Sequence, residues 1–366
     1  MKIAILGTRG IPNNYGGFEQ CAEMLSAGLV EKGHNVTVYN PDFHPYQNNI
    51  YRGVNIKRIY SPQDKIGTSA SNFVFDYLCL KDAIKEGYDI ILELGLITAA
   101  PSIIFCRKKK NIIVTNLDGL EWKRAKWNPI VRFITKQLER FGVYFSNFII
   151  SDNIGIKDYV FEQYGKESEF IAYGADKINT PNKLLISKYI NANEDYFLTI
   201  ARLEPENNID LMCDAFLLSD TKKPYYIIGN VNTSYGSSLL NKYKNTSIIF
   251  LGAIFNKDEL DSFRYFSKLY IHGHSVGGTN PALLEAMTAK AFIICHDNKF
   301  NKSVISSGAL YFNSVDSLKL IFNNSAIYDN KEVFVKQNLV SIEKNYRWNI
   351  VIDKYEDYFK RILNNK

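Results

Sequence analysis

The stretch of sequence that decides the fold spans residues 272–287 and reads His272-Gly273-His274-Ser275-Val276-Gly277-Gly278-Thr279-Asn280-Pro281-Ala282-Leu283-Leu284-Glu285-Ala286-Met287. An apolar run precedes it and apolar residues at helical spacing follow, so it predicts a turn from a strand into a helix. Thr279 or Asn280 suits the helix N-cap, and Pro281 suits the first turn. Gly277 and Gly278 leave successive backbone N–H groups open to an anion. This predicts a phosphate site at the helix end.

Three side chains of this stretch carry further chemistry. Glu285 falls about one turn into the predicted helix, where its carboxylate can accept hydrogen bonds from two ribose hydroxyls or pair with a nearby cation. His272 and His274 have a spacing that also occurs in metal half-sites, but no third ligand stands out in the sequence. We therefore expect a site without a metal ion and a protein without a cofactor.

Outward from this stretch, strand and helix patterns alternate along the whole chain. Apolar runs typical of buried strands occur at residues 2–6, 36–39, 54–60, 89–93, 111–115, 147–150, 170–172, 196–201, 225–228, 247–251, 269–272 and 291–295. Helical patterns lie between several of these runs. The alternation predicts an α/β fold with two parallel sheets, each covered by helices on both faces.

The domain boundaries follow from where this pattern is interrupted. We predict an N-terminal domain at residues 1–175 and a linker at residues 176–193, which are rich in Asn, Lys and Pro. A C-terminal domain at residues 194–340 follows. The last part of the chain, residues 341–366, is predicted to be a helix that packs back on the N-terminal domain.

Composition excludes several classes of protein. The five cysteines are scattered and never spaced as CxxC, which favours a reducing cytoplasm over a disulfide framework or a zinc site. A net charge of +6 is too modest to indicate a nucleic-acid partner by itself. The apolar run at residues 3–6 is too short for a signal peptide, and the longest apolar region, residues 90–106, is too short to cross a bilayer.

A glycine-bearing loop at residues 7–19 follows the first predicted strand, at the sheet edge where ligands of α/β proteins bind. Its glycines permit close backbone approach to an anion, and Arg9, Gly16 and Gly17 are the candidate residues. It does not match GxGxxG, and a turn shaped only for packing is the alternative.

A second loop, residues 201–208, follows the strand that opens the C-terminal domain. Arg202 there can present its guanidinium to a diphosphate. A surface salt bridge from Arg202 to Glu204 or Glu206 is the alternative.

Four motifs in order resemble family 4 of the glycosyltransferases, and within it the bacterial rhamnosyltransferase-type subgroup. They are Gly7-Thr8-Arg9-Gly10-Ile11-Pro12 with Tyr15-Gly16-Gly17-Phe18-Glu19, Asp118-Gly119-Leu120-Glu121-Trp122-Lys123-Arg124, Ala201-Arg202-Leu203-Glu204-Pro205-Glu206-Asn207-Asn208, and His272-Gly273-His274-Ser275-Val276-Gly277-Gly278-Thr279-Asn280-Pro281. The resemblance runs almost from end to end. It implies the GT-B fold, in which two doubly wound Rossmann-like domains face a central cleft.

The resemblance also implies a function. A hexose or deoxyhexose, with rhamnose favoured, passes from a nucleotide-diphosphate sugar to a saccharide acceptor during synthesis of a bacterial surface polysaccharide, with retention at the anomeric carbon. The favoured donor is dTDP-rhamnose, with UDP- and GDP-sugars as alternatives. The implied donor-binding residues are Arg202, Asn207, His274, Gly277, Gly278, Thr279, Asn280 and Glu285.

Two positions depart from the family pattern while agreeing with the subgroup. Glu285 matches the second glutamate of the family's glutamate pair, but Gly277 stands where the first is usual. Asn207 or Asn208 replaces the usual phosphate-binding lysine. The motif therefore indicates a diphosphate and a ribose more firmly than it indicates a sugar.

Asp118 follows a predicted strand at about the position of an active-site histidine in many members of the family, and Glu121 lies three residues on. Either carboxylate can orient the acceptor hydroxyl or stabilise positive charge that develops on the sugar. A capping box for the helix that follows is the alternative.

A basic, aromatic helix is predicted within residues 122–140. We expect it to bring the protein to an anionic membrane surface, where a lipid-linked saccharide would be the acceptor and the protein would be peripheral at the cytoplasmic face. A core helix with a solvated charged face is the alternative. Its six basic residues are Lys123, Arg124, Lys126, Arg132, Lys136 and Arg140.

Three other functions compete with glycosyl transfer. A nucleotide-sugar epimerase of the same fold would convert the donor without an acceptor. A dinucleotide-dependent dehydrogenase is suggested by the first βαβ unit and by Asp42, although GxGxxG is missing. A non-catalytic sugar-nucleotide-binding subunit would keep the fold without turnover.

Overall fold

The computed structural model describes residues 1–14, 16–106, 111–125, 127–191 and 193–365. The chain forms two compact units. The first contains Met1–Trp122, Trp127–Gly174 and Trp348–Lys366, and the second contains Lys123–Lys126 and Ala175–Arg347.

The first unit is built on a sheet whose described part has the strand order β3-β4-β2-β1-β5-β6-β7-β8. Neighbouring strands are parallel, except that β3 pairs with β4 in the antiparallel direction. The strands are β1 (Lys2–Leu6), β2 (Asn35–Pro41), β3 (Ile50–Tyr51), β4 (Val54–Ile59), β5 (Ile90–Glu93), β6 (Ile113–Leu117), β7 (Phe148–Ser151) and β8 (Glu169–Phe170). The helices among them are α1 (Gly17–Glu31), α2 (Gln63–Ile66), α3 (Thr68–Glu86), α4 (Leu96–Cys106), α5 (Pro129–Phe145) and α6 (Ile154–Tyr164).

The second unit repeats this architecture with a parallel sheet in the order β11-β10-β9-β12-β13-β14. Its strands are β9 (Phe197–Ile200), β10 (Tyr225–Ile228), β11 (Ile248–Gly252), β12 (Leu269–His272), β13 (Ile293–His296) and β14 (Leu310–Phe312). Its helices are α7 (Lys183–Ile186), α8 (Ile209–Leu217), α9 (Ser234–Lys242), α10 (Lys257–Phe266), α11 (Pro281–Thr288), α12 (Lys299–Ile305), α13 (Val315–Asn323) and α14 (Lys331–Ser341). A core of buried aromatic and aliphatic side chains, including Phe197, Tyr225 and Phe292, lies against this sheet.

The strand order of each sheet reverses at one point. In the first unit the chain proceeds from β1 to β2 on one side and returns to β5 on the other. In the second unit it proceeds from β9 to β10 and returns to β12 on the other side. The loops at the carboxyl ends of the two strands diverge at such a switch point and leave a crevice for a ligand. The loops after β9 and β12 therefore mark the expected binding position in the second unit.

The final helix, α15 (Trp348–Asn364), belongs to the first unit and packs on α1. Glu356 in α15 accepts a hydrogen bond from the ring of His34 at 2.8 Å and forms an ion pair with Lys32. The absence of a side chain at Gly174 admits the Trp348 ring, because a Cβ atom there would lie 2.3 Å from the indole. The chain returns to the first unit at Trp348, which is seven residues after the boundary at residue 341 that the sequence indicates.

Residues 176–193 are part of the second unit and do not form the predicted linker. Within them α7 packs against α10. The backbone N–H of Asn182 donates to Oγ of Ser262 at 3.1 Å, and Lys188 and Tyr189 both bind the carboxylate of Glu259. The Asn- and Lys-rich composition of this segment therefore reflects helix capping and surface pairing, which composition alone does not distinguish from a linker.

Candidate active site

The two loops at the switch point of the second unit are joined by side-chain amides. Nδ2 of Asn207 donates to the backbone oxygen of Arg202 at 2.7 Å, and its Oδ1 lies 2.8 Å from Nδ1 of His274. Nδ2 of Asn208 donates to the backbone oxygen of Gly273 at 2.7 Å. A Cβ atom at Gly273 would lie 2.1 Å from the oxygen of Asn207, so only glycine allows this approach. The loops after β9 and β12 are thus held together by residues of both motifs.

His274 is a neutral imidazole in this arrangement. Burial, followed by the positive charge of Arg202, lowers its pKa to about 3. Because Oδ1 of Asn207 only accepts hydrogen bonds, Nδ1 of His274 carries the proton. Of the predicted donor-binding residues, Asn207 and His274 therefore fix the loop geometry through their contacts with each other.

Gly277 adopts a conformation that disfavours any other residue. Its φ is +126°, and a Cβ atom would lie 3.1 Å from Nε2 of His274. The local structure thus disfavours, at this position, the glutamate that is usual in the family that the chain resembles. A carboxylate side chain here would strain the backbone and displace the His274 ring.

The N-terminus of α11 follows the glycine pair directly. Asn280 is its N-cap, with Oδ1 accepting from the backbone N–H of Ala282 at 2.9 Å, and Pro281 occupies the first turn. Both features are as the sequence predicts. Gly278 and Thr279 are buried just before the cap. The partial positive charge of the helix end therefore lies beside the loop of His274, where it favours an anion.

Glu285 is held by an arginine that the sequence did not reveal. Nη2 of Arg264, in α10, donates to Oε2 of Glu285 at 2.5 Å, and Nη1 donates to Asp261 at 3.1 Å. The Arg264 side chain is only 2% exposed, whereas that of Glu285 is 30% exposed. Glu285 thus pairs with a cation through Oε2, and among the described residues its other oxygen, Oε1, has no hydrogen-bond partner.

Arg202 is exposed on the rim of the same loop pair. Within the described ranges it forms no ion pair with Glu204 or Glu206, the alternative left open by the sequence. Its guanidinium lies near enough to His274 to lower the pKa of that ring. Arg202 therefore places a positive charge at the edge of the two loops that follow β9 and β12.

The glycine loop of the first unit is arranged differently. The backbone N–H of Arg9 donates to Oε1 of Glu19 at 2.8 Å, and that of Asn13 donates to Oε2 of Glu23 at 2.6 Å. Carboxylates of α1 thus occupy two N–H groups that an anion would otherwise take. At these positions the structure favours the packing alternative over anion contact.

Gly16 and Gly17 form the entry to α1. Gly16 is the N-cap in an extended conformation, its N–H donates to Oδ1 of Asn13 at 3.2 Å, and the helix begins at Gly17. Tyr15, which belongs to the same motif, lies outside the described residues. In this loop the left-handed conformations occur at Gly7 and Gly10.

Asp118 lies in the first unit beside a carboxylate that the sequence analysis missed. Asp118 directly follows β6, and Asp152 directly follows β7. Burial, with the negative charges of Asp152 and Asp118, raises the pKa of Cys21 to about 12, so both carboxylates lie near this thiol. The position of Asp152 just after a buried strand was the sequence signal that could have found it.

Glu121 opens a short 3-10 helix at Glu121–Lys123, and its Oε1 accepts from the indole N–H of Trp127 at 3.1 Å. The N-cap of α5 is Asn128, whose side chain accepts from the backbone N–H of Val131. Asp118 and Glu121 therefore do not cap α5.

The predicted basic helix begins at Pro129, not at residue 122, and extends to Phe145. Lys126 lies outside the described residues. The face that packs inward carries Thr135, Glu139, Gly142 and Val143. Apolar side chains point outward instead, namely Ile130, Phe133, Ile134, Phe141 and Tyr144.

The polar inner face of α5 has its own partners. Glu139 is fully buried and accepts hydrogen bonds from the hydroxyl groups of Tyr159 at 2.6 Å and Tyr164 at 2.7 Å. Nζ of Lys136 lies 4.2 Å from the centre of the Trp122 ring. The structure thus differs from a core helix with a solvated charged face, because the solvent-facing side of α5 is largely apolar.

Neither a spanning helix nor a metal cluster is found in the described part of the chain. No helix there combines the length and apolar character needed to cross a bilayer. The same residues contain no group of three or more His, Cys, Asp and Glu side chains placed to hold a metal ion.

Solved structures show the class of fold. Sucrose-phosphate synthase from Thermosynechococcus elongatus matches with a TM-score of 0.82 at 13% identity over 100% of both chains. The Anabaena protein Alr3699/HepE, solved with UDP-glucose, matches with a TM-score of 0.71 at 14% identity over 100% of both chains. Trehalose 6-phosphate synthase from Burkholderia multivorans matches with a TM-score of 0.71 at 13% identity, covering 100% of this chain and 97% of its own. The predicted α/β fold of the GT-B type is confirmed.

Family comparisons divide the chain near the predicted domain boundary. Residues 183–320 match the family described as glycosyl transferases group 1, and residues 1–176 match a domain of unknown function, DUF1972. No protein of curated function matches the sequence. The second unit is thus similar to group 1 glycosyl transferases over residues 183–320, and the predicted enzyme class, a glycosyltransferase, is confirmed.

Proposed function

We propose that the protein transfers a sugar from a nucleotide-diphosphate sugar to a saccharide acceptor, and that the donor binds at the switch point of the second unit. The observation that carries this proposal is the fixed carboxylate of Glu285. Arg264 holds one of its oxygens at 2.5 Å, one turn into a helix whose N-terminus follows a glycine pair. A ribose hydroxyl can donate a hydrogen bond to such a carboxylate, and a diphosphate can bind at the positive end of such a helix.

Each group has a role in the departure of the diphosphate. Arg202 and the N-terminus of α11 would stabilise negative charge that grows on the leaving group, and Glu285 would hold the ribose through Oε1. Asp118 would orient the acceptor hydroxyl, with Asp152 beside it as a second carboxylate. No metal ion or cofactor is part of this scheme. Because the departing phosphate can take the acceptor's proton, the scheme is compatible with retention.

The sugar is proposed on resemblance, with dTDP-rhamnose as the first donor to test. The structures of Alr3699/HepE were solved with UDP and with UDP-glucose, which supports nucleotide-sugar binding and keeps UDP-sugars in the panel. Thermal shift across dTDP-, UDP- and GDP-sugars would select the donor. Release of nucleoside diphosphate that depends on an added saccharide acceptor would then support transfer. Conversion of the donor without any acceptor would indicate the epimerase alternative.

We further propose that the acceptor is lipid-linked and that α5 brings the protein to an anionic membrane surface in the synthesis of a surface polysaccharide. The support is the outward apolar face of α5 together with the basic residues around it, including Arg132 and Arg140. Apolar side chains can enter the headgroup region while the basic ones bind anionic lipids.

Vesicle binding tests the membrane proposal. A variant with Phe133 and Ile134 changed to Ser should sediment several-fold less with vesicles of mixed neutral and anionic lipid than the wild type does. A second variant that neutralises Arg132 and Arg140 on α5 should lose the preference for anionic lipid. Leu184→Ser is the matched control, since Leu184 is 79% exposed on the second unit. Equal sedimentation of all four proteins would contradict membrane binding.

A further inference from the structure

Glu206 is a buried carboxylate in the loop after β9 that the proposed function leaves unused. It lies in the short 3-10 turn Pro205–Asn207, and the residue is 6% exposed. Both carboxylate oxygens are buried, and neither has a hydrogen-bond partner among the described residues. A buried carboxyl group without a hydrogen-bond partner costs free energy of several kcal/mol, and a ligand that supplies hydrogen bonds would offset this cost.

The backbone of Glu206 is fastened to the other loop of the site. Its carbonyl oxygen accepts from both the N–H and Oγ of Ser275, each at 2.9 Å. The next residue, Asn207, binds Arg202 and His274 as described above. The backbone of Glu206 therefore lies at the seam between the two loops that form the candidate donor site.

The chemistry of the site restricts what Glu206 can receive. A carboxylate accepts hydrogen bonds and repels the negative charge of a diphosphate, so its partner must be a donor of hydrogen bonds. Glu285 already lies where the ribose is proposed to bind. The sugar group is attached on the opposite side of the diphosphate from the ribose, and its hydroxyls need acceptors there. At Gly277, where the resembling family carries a carboxylate, the backbone conformation excludes one.

We propose that the carboxylate of Glu206 accepts hydrogen bonds from hydroxyl groups of the transferred sugar and so contributes to selection of that sugar. The proposal rests on the proposed donor site. Two oxygens of one carboxylate can receive two neighbouring hydroxyls, a pattern that discriminates strongly against a sugar lacking one of them.

The test compares a nucleotide with the corresponding nucleotide sugar. Calorimetric titration would use dTDP against dTDP-rhamnose and UDP against UDP-glucose, with the wild type and Glu206→Gln. We expect Glu206→Gln to weaken binding of the accepted nucleotide sugar about tenfold or more, because a charged acceptor is replaced by an amide. Binding of the nucleoside diphosphate alone should change less than about twofold. Glu204→Gln, in the same loop, should change neither value.

A second variant guards against loss of folding. Glu206→Asp keeps the carboxylate on a shorter side chain. It should also weaken binding of the nucleotide sugar selectively, while binding of the nucleotide stays normal. Equal weakening of nucleotide and nucleotide sugar would overturn the proposal in favour of a base contact or a structural role, and so would unchanged binding of both. If the wild type binds none of the dTDP-, UDP- and GDP-sugars of the donor panel, the proposed function itself fails, which is a different result from a neutral Glu206→Gln in an active enzyme.

Discussion

The switch points of the two units use similar sequence signals for different chemistry. Each has a glycine-bearing loop between a strand and a helix. In the second unit the first turn of α11 has no acidic residue, and a cation, Arg202, lies at the rim. In the first unit the first turn of α1 contains Glu19, whose carboxylate turns back onto the loop. The two loops share their glycine content, and the charge in the first helical turn is what distinguishes them.

The first unit gathers further acidic side chains at the same edge. Glu93 ends β5 beneath Gly7, where a Cβ atom would lie 2.0 Å from Oε1 of the carboxylate. Asp118 and Asp152 follow the next two strands of the sheet. The negative charges of Asp118 and Asp152 repel a diphosphate, but they do not repel a neutral acceptor hydroxyl. The comparison thus favours the second unit for the proposed nucleotide site.

The largest expected effect tests the cation behind Glu285. Arg264→Met would leave the carboxylates of Asp261 and Glu285 without their buried partner, and we expect unfolding of the second unit to require about 3–5 kcal/mol less. Urea unfolding measures this. The matched control is Arg361→Met, because Arg361 is 59% exposed in its ion pair and should contribute less than about 1 kcal/mol. Equal effects of the two substitutions would contradict the buried role of Arg264.

The next-largest expected effect is on how the stability of the first unit depends on pH. Burial raises the pKa of Asp76 from 3.8 to about 7, and burial together with the charge of Asp76 raises the pKa of Glu93 well above its usual value. The folded state therefore holds protons that the unfolded state has lost. The resulting stabilisation is complete below about pH 4 and is lost as the pH rises through about 7.

Asp76→Asn should remove much of this dependence. Between pH 4.5 and pH 8 the free energy of unfolding of the wild type should fall by an additional amount on the order of a few kcal/mol compared with the variant. Urea titrations at both pH values measure the difference. Asp357→Asn, an exposed carboxylate change on α15, should behave as the wild type does. The interpretation fails if both Asn variants keep the same pH dependence.

The smallest effect separates packing from ligand binding in the glycine loop. Glu19→Ala removes the acceptor of the Arg9 N–H, and we expect a loss of about 1–3 kcal/mol in stability. Donor affinity should remain unchanged, because the loop's contacts are internal. Glu31→Ala, at an exposed position of α1, provides the control. A fall in donor affinity comparable to that of Glu285→Ala would restore the anion interpretation of this loop.

Local patterns in the sequence predicted much of the fold. β10 and β12 have the bounds that their apolar runs indicate, since strands buried on both faces of a parallel sheet are continuously apolar. The edge strands β3 and β14 were missed, because two or three residues carry too little pattern. The sequence narrowed the N-cap of α11 to Thr279 or Asn280, and the structure has Asn280 there.

The partners within the site were less accessible to sequence reasoning. Arg264 and Glu285 lie 21 residues apart on different helices, and nothing in their spacing indicates contact. The outward apolar face of α5 was hidden as well, because the sequence shows apolar and basic residues interleaved without showing which side packs inward. Pairing between elements depends on tertiary packing, which a single sequence does not display.

The central claim is that the switch point of the second unit binds the nucleotide-sugar donor, and donor affinity in two substitution pairs tests it most directly. Calorimetric titration with the donor selected by thermal shift should show at least a tenfold loss for Arg202→Ala and for Glu285→Ala. The exposed controls Lys222→Ala and Glu332→Ala should bind as the wild type does. Unchanged donor affinity in both Arg202→Ala and Glu285→Ala would contradict the assignment.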